Sequence, residues 1–242
     1  MKIYRFRQLI NGPEDKSSDF SRLKEIIEEG FYCSSFCELN DPMEGTFSCY
    51  GGSDKIIEDR IREIFNKKCE YKICSFSGIN GFKKPSMWGY YAGGFKGVTI
   101  EVEVGVRQDN LENIGNIEQI EYLKNIPDVF ALKDTPNSNV SVIAKDILTK
   151  KLKTWEHEDE FRFLVQSKDA KHKIGKITAI YFGDPYSNLF NADDFEENEK
   201  LKKYRELKKE IIKIAEEKID CFDVEIINGE VKKLTKNLWS QK

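Results

Sequence analysis

The sequence predicts an α+β fold, and three observations carry that reading. Val98, Ile100, Val102 and Val104 alternate with Thr99, Glu101 and Glu103, the period-two signature of a strand. Leu201, Tyr204, Leu207, Ile211, Ile214 and Ala215 recur at helical spacing along a charged stretch. Strands and helices are mixed irregularly rather than alternating, which argues against a doubly wound parallel sheet and for a mixed or antiparallel sheet with packed helices. No internal repeat or low-complexity linker interrupts the chain, so residues 1–242 are expected to form a single domain.

The elements follow in order. Ile3 to Leu9 reads as an opening strand, broken by Asn11-Gly12-Pro13. Asp19 can start a short helix carrying Leu23, Ile26 and Ile27, which Gly30 ends. Phe31 to Phe36 is a short apolar segment, and Asn40-Asp41-Pro42 is a turn in which an Asx side chain bonds its own backbone. A second helix spans about Asp54 to Lys68, with Ile57, Ile61, Ile64 and Phe65 as its stripe. Tyr71 to Phe76 is a strand, and Pro85 opens a short helix with Met87, Trp88 and Tyr91 that Gly93-Gly94 stops. Between Arg107 and Asn139 only Ile117 to Leu123 carries a strand signal. Asn139 to Lys151 reads as a helix, Ile177 to Phe182 as a strand before Gly183-Asp184-Pro185, and Asn228-Gly229 as a hairpin turn.

Composition excludes several function classes. The net charge of -3 and the even mixing of Lys with Glu lack the basic footprint of a duplex nucleic-acid binder. No apolar run approaches a membrane span, and Met1 to Arg5 reads directly as strand, so a cytoplasmic protein is expected. The six cysteines form no Cys-x-x-Cys pair and are expected to be reduced, buried small hydrophobes. With only His157 and His172 available, no metal site is expected.

Chemistry concentrates in four islands: Tyr4 to Arg7, Asn40 to Pro42, Ser75 to Ser77 with Met87 to Tyr91, and Trp155 to Arg162. In the last, alternation puts Phe161, Phe163 and Val165 on one face and Glu158, Glu160, Arg162 and Leu164 on the other. Two carboxylates and a guanidinium beside a tryptophan must pair with one another or line a polar pocket. Trp88 and Trp155 read either as core anchors or as ligand platforms.

The islands, with Tyr181-Phe182-Gly183, resemble a bacterial family catalogued as a domain of unknown function, number 2971. Its marks are an opening Tyr/Arg strand, an Asn-Asp-Pro turn, and Ser-Phe-Ser leading to Met-Trp-x-x-Tyr-Ala. Trp-x-x-Glu-x-Glu-x-Arg and a Tyr-Phe-Gly strand end complete the set, and all occur here in order. The resemblance covers nearly the full length and implies no established reaction. A second, more distant resemblance is to ADP-ribosyltransferases of the arginine–serine–glutamate kind. It implies NAD as co-substrate, held by Arg5 or Arg7 with Arg162, and an active-site strand braced by Ser75 or Ser77. Trp88 and Tyr91 would stack on the ligand, Glu160 would stabilise the oxocarbenium ion, and Glu158 would orient the acceptor. The implied activity is ADP-ribosyl transfer to protein or nucleic acid, or NAD hydrolysis, by an effector in toxin or phage-defence systems. The alternatives are a non-catalytic module that binds a small nucleotide or a protein, and, ranked last, a metal-dependent nuclease. Oligomeric state is not legible.

Overall fold

A computed structural model describes residues 1–9, 19–39, 41, 43–48, 55–105, 115–127, 139–183, 199–215 and 218–237. The expected breaks at Asn11-Gly12-Pro13 and Asp184-Pro185, and the side chain of Leu201, lie outside those residues. The fold class is α+β with a mixed sheet. Twelve strands and six α-helices are described: β1 Lys2–Gln8, α1 Asp19–Glu28, β2 Phe31–Tyr32, α2 Lys55–Cys69, β3 Tyr71–Ser77, α3 Ile79–Phe82, α4 Pro85–Tyr91, β4 Gly97–Glu103, β5 Asn116–Gln119, β6 Glu121–Leu123, α5 Val140–Leu148, β7 Lys150–Leu152, β8 Glu160–Gln166, β9 Lys171–His172, β10 Lys176–Phe182, α6 Glu199–Ala215, β11 Asp220–Ile227 and β12 Glu230–Asn237.

The chain forms two compact units, each assembled from separated segments: one from Met1–Phe31, Phe76–Gln108 and Lys173–Lys242, the other from Tyr32–Ser75 and Asp109–His172. Strand β3 passes from the second to the first between Ser75 and Phe76.

In the first unit the strand order is β12-β11-β10-β4-β1, with Ser77 at the end of β3 paired to Tyr4. Among its described strands only β10 and β11 pair in parallel, and α6 supplies the crossover such a pair requires. The stripe expected on α6 is present, with Tyr204, Leu207, Ile211 and Ala215 buried. The hairpin at Asn228-Gly229 is also present. Both residues have positive φ (53° and 79°), as a type I′ turn demands, and Ile226 pairs with Val231. One aromatic core joins Tyr4, Phe6, Phe82, Trp88, Tyr181 and Phe222.

In the second unit β3, β8 and β5 lie in that order. Helices α2 and α5 pack together through Ile64, Ile143 and Ile147. Asn139 caps α5, accepting from the Ser141 amide at 2.9 Å. That helix ends earlier than its spacing predicts. Thr149 Oγ1 donates to the carbonyls of Lys145 and Asp146, and the chain enters β7, which pairs in parallel with β6. The strand expected over Ile117 to Leu123 is two strands divided at Ile120, whose amide bonds Glu160 O.

A buried charged cluster as the candidate functional site

The second unit buries five charged side chains together: Glu44, Lys151, Glu158, Glu160 and Arg162, none with its side chain more than 7% exposed. Arg162 is fully enclosed on β8. Its Nε donates to Glu160 Oε1 at 2.8 Å, Nη1 to Leu148 O at 2.7 Å and Nη2 to Glu44 Oε1 at 2.6 Å. The rigid fork of the guanidinium thus ties β8 to the end of α5 and to the segment holding Glu44. Lys151, from β7, lies 2.6 Å from Glu158, 3.2 Å from Glu160 and 3.4 Å from Glu44, with its ammonium 4.8 Å from the Trp155 ring centre.

Three carboxylates face two cations, and two of them, Glu160 and Glu44, are shifted in opposite directions. Burial alone would raise the Glu160 carboxyl, but Arg162 and Lys151 outweigh it and bring it down to about 2, helped by a hydrogen bond from Ser75. Burial raises Glu44, and the charge of Glu160 adds to the rise against the pull of Arg162 and Lys151. Of these two carboxyls, Glu44 takes up a proton more readily than Glu160. Its Oε2 is buried with no hydrogen-bond partner among the described residues.

Local geometry explains how these groups arrive. The Asx turn is present at Asp41, whose Oδ1 accepts from the Met43 amide at 2.9 Å. Asn40 and Pro42 themselves lie outside the described residues. Glu44, one residue beyond that turn, is one of two members of the cluster that sequence reasoning missed, because nothing periodic surrounds it. Lys151 was also missed, since a continuous helix would have left it solvated. The placement of Glu158 corrects the strand reading. Lys153 to Glu158 form a 3₁₀ turn, Asp159 adopts the left-handed conformation (φ 49°), and the strand starts at Glu160. Glu158 therefore reaches Lys151 from a turn, while Glu160 and Arg162 share a strand face as alternation predicts.

The other expected site residues belong to the first unit. Arg5 and Arg7 project from the same face of β1, half-buried, opposite Ile100 and Val98 of β4. Ser77 is buried at its pairing with Tyr4. Trp88 is fully enclosed and donates from Nε1 to Phe82 O at 2.8 Å. It stacks on Phe95 and meets Phe6 edge-on, so its faces belong to the core rather than to a ligand. Tyr91 is half-buried against the same core. Of the expected set, then, Ser75, Glu158, Glu160 and Arg162 meet in one cluster, and Arg5, Arg7, Ser77, Trp88 and Tyr91 lie in the other unit.

The Tyr-Phe-Gly end of β10 also has a packing cause. Tyr181 OH donates to Glu101 Oε2 at 2.8 Å, and Lys2 and Thr178 donate to Glu101 Oε1 at 2.7 Å each. Burial opposes ionisation of Glu101, and these bonds overcome it, holding the carboxyl below its ordinary range. A Cβ at Gly183 would stand 2.5 Å from Phe95 O, which reserves the position for glycine. No three His, Cys, Asp or Glu side chains among the described residues are placed to hold a metal ion, and no described helix is long and apolar enough to cross a membrane.

No family model, curated protein or solved structure matches this chain.

Proposed function

We propose that this protein is a non-catalytic module that binds a small anionic nucleotide in the cytoplasm, with the charged cluster as the rigid frame of its second unit. One observation carries the reading. Both oxygens of Glu160 accept hydrogen bonds, Oε1 from Arg162 and Oε2 from Lys151 and Arg162, and Ser75 adds a further bond to the carboxylate. A carboxylate so engaged has no lone pair directed at a ribose hydroxyl or a developing oxocarbenium ion. Arg162 is likewise spent on two carboxylates and a carbonyl. The guanidinium pair of Arg5 and Arg7, two residues apart on one strand face, is the arrangement that suits phosphate. Five unbridged thiols accord with a reducing compartment.

A second reading, an NAD-consuming transferase or glycohydrolase, draws support from Glu44. This carboxyl holds its proton more readily than usual and keeps one buried oxygen unengaged, as an acid–base group requires. Titration calorimetry with NAD and with ADP-ribose, alongside chromatographic detection of nicotinamide, separates the two. Binding without nicotinamide, weakened by Arg5→Ala or Arg7→Ala, is the expected result. Nicotinamide release that disappears in Glu44→Gln would favour the enzyme, and neither binding nor release would overturn both.

A further inference from the structure

We propose that Cys37 and Cys69 are a peroxide-oxidisable thiol pair that closes to an intramolecular disulfide at the edge of the second unit. Five cysteines are described, and burial sorts them sharply. Cys33, Cys74 and Cys221 are no more than 1% exposed, and burial pushes the Cys221 thiol up to about 12. Cys37 and Cys69 are exposed. A small polar oxidant therefore meets these two before the others.

Neighbouring side chains bring the pair together. Cys37 follows Phe36 in a 3₁₀ turn, Phe36–Glu38, closed by a capping box in which the Ser35 amide donates to Glu38 Oε2 at 3.1 Å. Cys69 follows Lys68 as the last residue of α2. The Phe36 ring meets Phe65 of α2 edge-on at 5.8 Å, and the Lys68 ammonium lies 4.5 Å from the Phe36 ring centre. The residues just before each cysteine are thus packed on one another, and the Cys37 side chain is near enough to add to burial in raising the Cys69 thiol above its ordinary range. Both sit on ordered elements, a 3₁₀ turn and the end of α2, so little chain entropy remains to be lost when a bond forms between them.

The reaction balances with hydrogen peroxide as the oxidant. One thiolate attacks a peroxide oxygen, forming a sulfenic acid and releasing hydroxide, which takes a proton to become water. The second thiolate attacks that sulfur, the S–S bond forms, and the departing hydroxide becomes a second water. Two thiols lose two electrons in all, and peroxide gains them. The bridge would brace more than the surface. Lys68 donates to Gly45 O at 2.6 Å, and Gly45 follows Glu44, so the linked elements hold the turn that delivers Glu44 to the charged cluster.

The full-length protein, treated with a slight molar excess of hydrogen peroxide and digested without reduction, should yield one cross-linked peptide pair joining Cys37 to Cys69. Dithiothreitol should restore both thiols, and Cys37→Ser or Cys69→Ser should abolish the link while leaving the partner cysteine open to sulfenic-acid probes. Both substitutions are at exposed positions, so folding is retained and checked by circular dichroism. Independent oxidation of the two thiols without a bridge, a bridge to any other cysteine, or a bridge between two copies of the chain would overturn the assignment.

Discussion

Arg162 Nη2 donates to Glu44 Oε1 at 2.6 Å across 118 residues of sequence, and this bond joins β8 to the turn that follows Asp41. The contact joins two distant stretches of sequence in one buried network. It also determines what substitutions in that network should do.

Arg162→Met should lower the stability of the second unit by about 3–5 kcal/mol, because Glu44 and Glu160 would be left buried with only Lys151 between them. Arg162→Lys should recover little of this, since an ammonium cannot serve Glu160, Glu44 and Leu148 O from one plane. Urea denaturation of the three proteins measures both effects.

Acid should unfold the protein through Glu160. Its folded value of about 2 lies below the ordinary ~4.3 of a glutamate, so its contribution is complete above that value and is lost as pH falls towards 2. Glu44 acts with the opposite sign. Its raised folded value makes mild acidification stabilising until the unfolded glutamate also takes up a proton. The urea midpoint followed from pH 7 to pH 3 should therefore hold or rise slightly before it falls steeply below pH ~4.

Lys68 should respond to alkali. Its ammonium is enclosed by Phe36, Phe47 and Phe65 with Gly45 O as its hydrogen-bond acceptor, and burial lowers its proton affinity. The unfolded chain then binds the proton more tightly than the folded one. Stability should rise with pH from the lowered folded value up to the ordinary ~10.4. Lys68→Met should flatten that slope and leave stability near pH 7 unchanged or improved, as thermal melts across pH 7–10 will register.

Trp88→Phe should cost about 1–3 kcal/mol through the lost bond to Phe82 O and the space left in the aromatic core. Nucleotide affinity measured well below the melting temperature should be unaffected. Weaker affinity at full stability would instead make the indole a ligand platform.

Much of the fold was legible because periodicity reports it. Val98 to Val104, the stripe on α6 and the Asn228-Gly229 turn each appear where spacing or turn chemistry places them. The second helix was legible in position but not in full. Lys68 continues the face of Ile61 and Ile64 inward, and a lysine there reads as solvated until its aromatic neighbours are known. Phe65, expected on the buried stripe, is 48% exposed. The cluster was half legible. Glu160 and Arg162 share a face through strand alternation, a local property. Glu44 and Lys151 reach them through a turn and a broken helix, where no period exists to follow. Asp159 hid the true start of β8, since a single left-handed residue shifts every assignment before it.

On the proposed reading Glu160 holds the second unit together and takes no part in NAD chemistry. Glu160→Gln, assayed in parallel for urea stability and for nicotinamide released from NAD, separates a structural carboxylate from a catalytic one. A loss of stability with no NAD turnover in either protein is the predicted result. A variant as stable as its parent, in which a measurable parental NAD turnover has vanished, would make Glu160 a catalytic group instead.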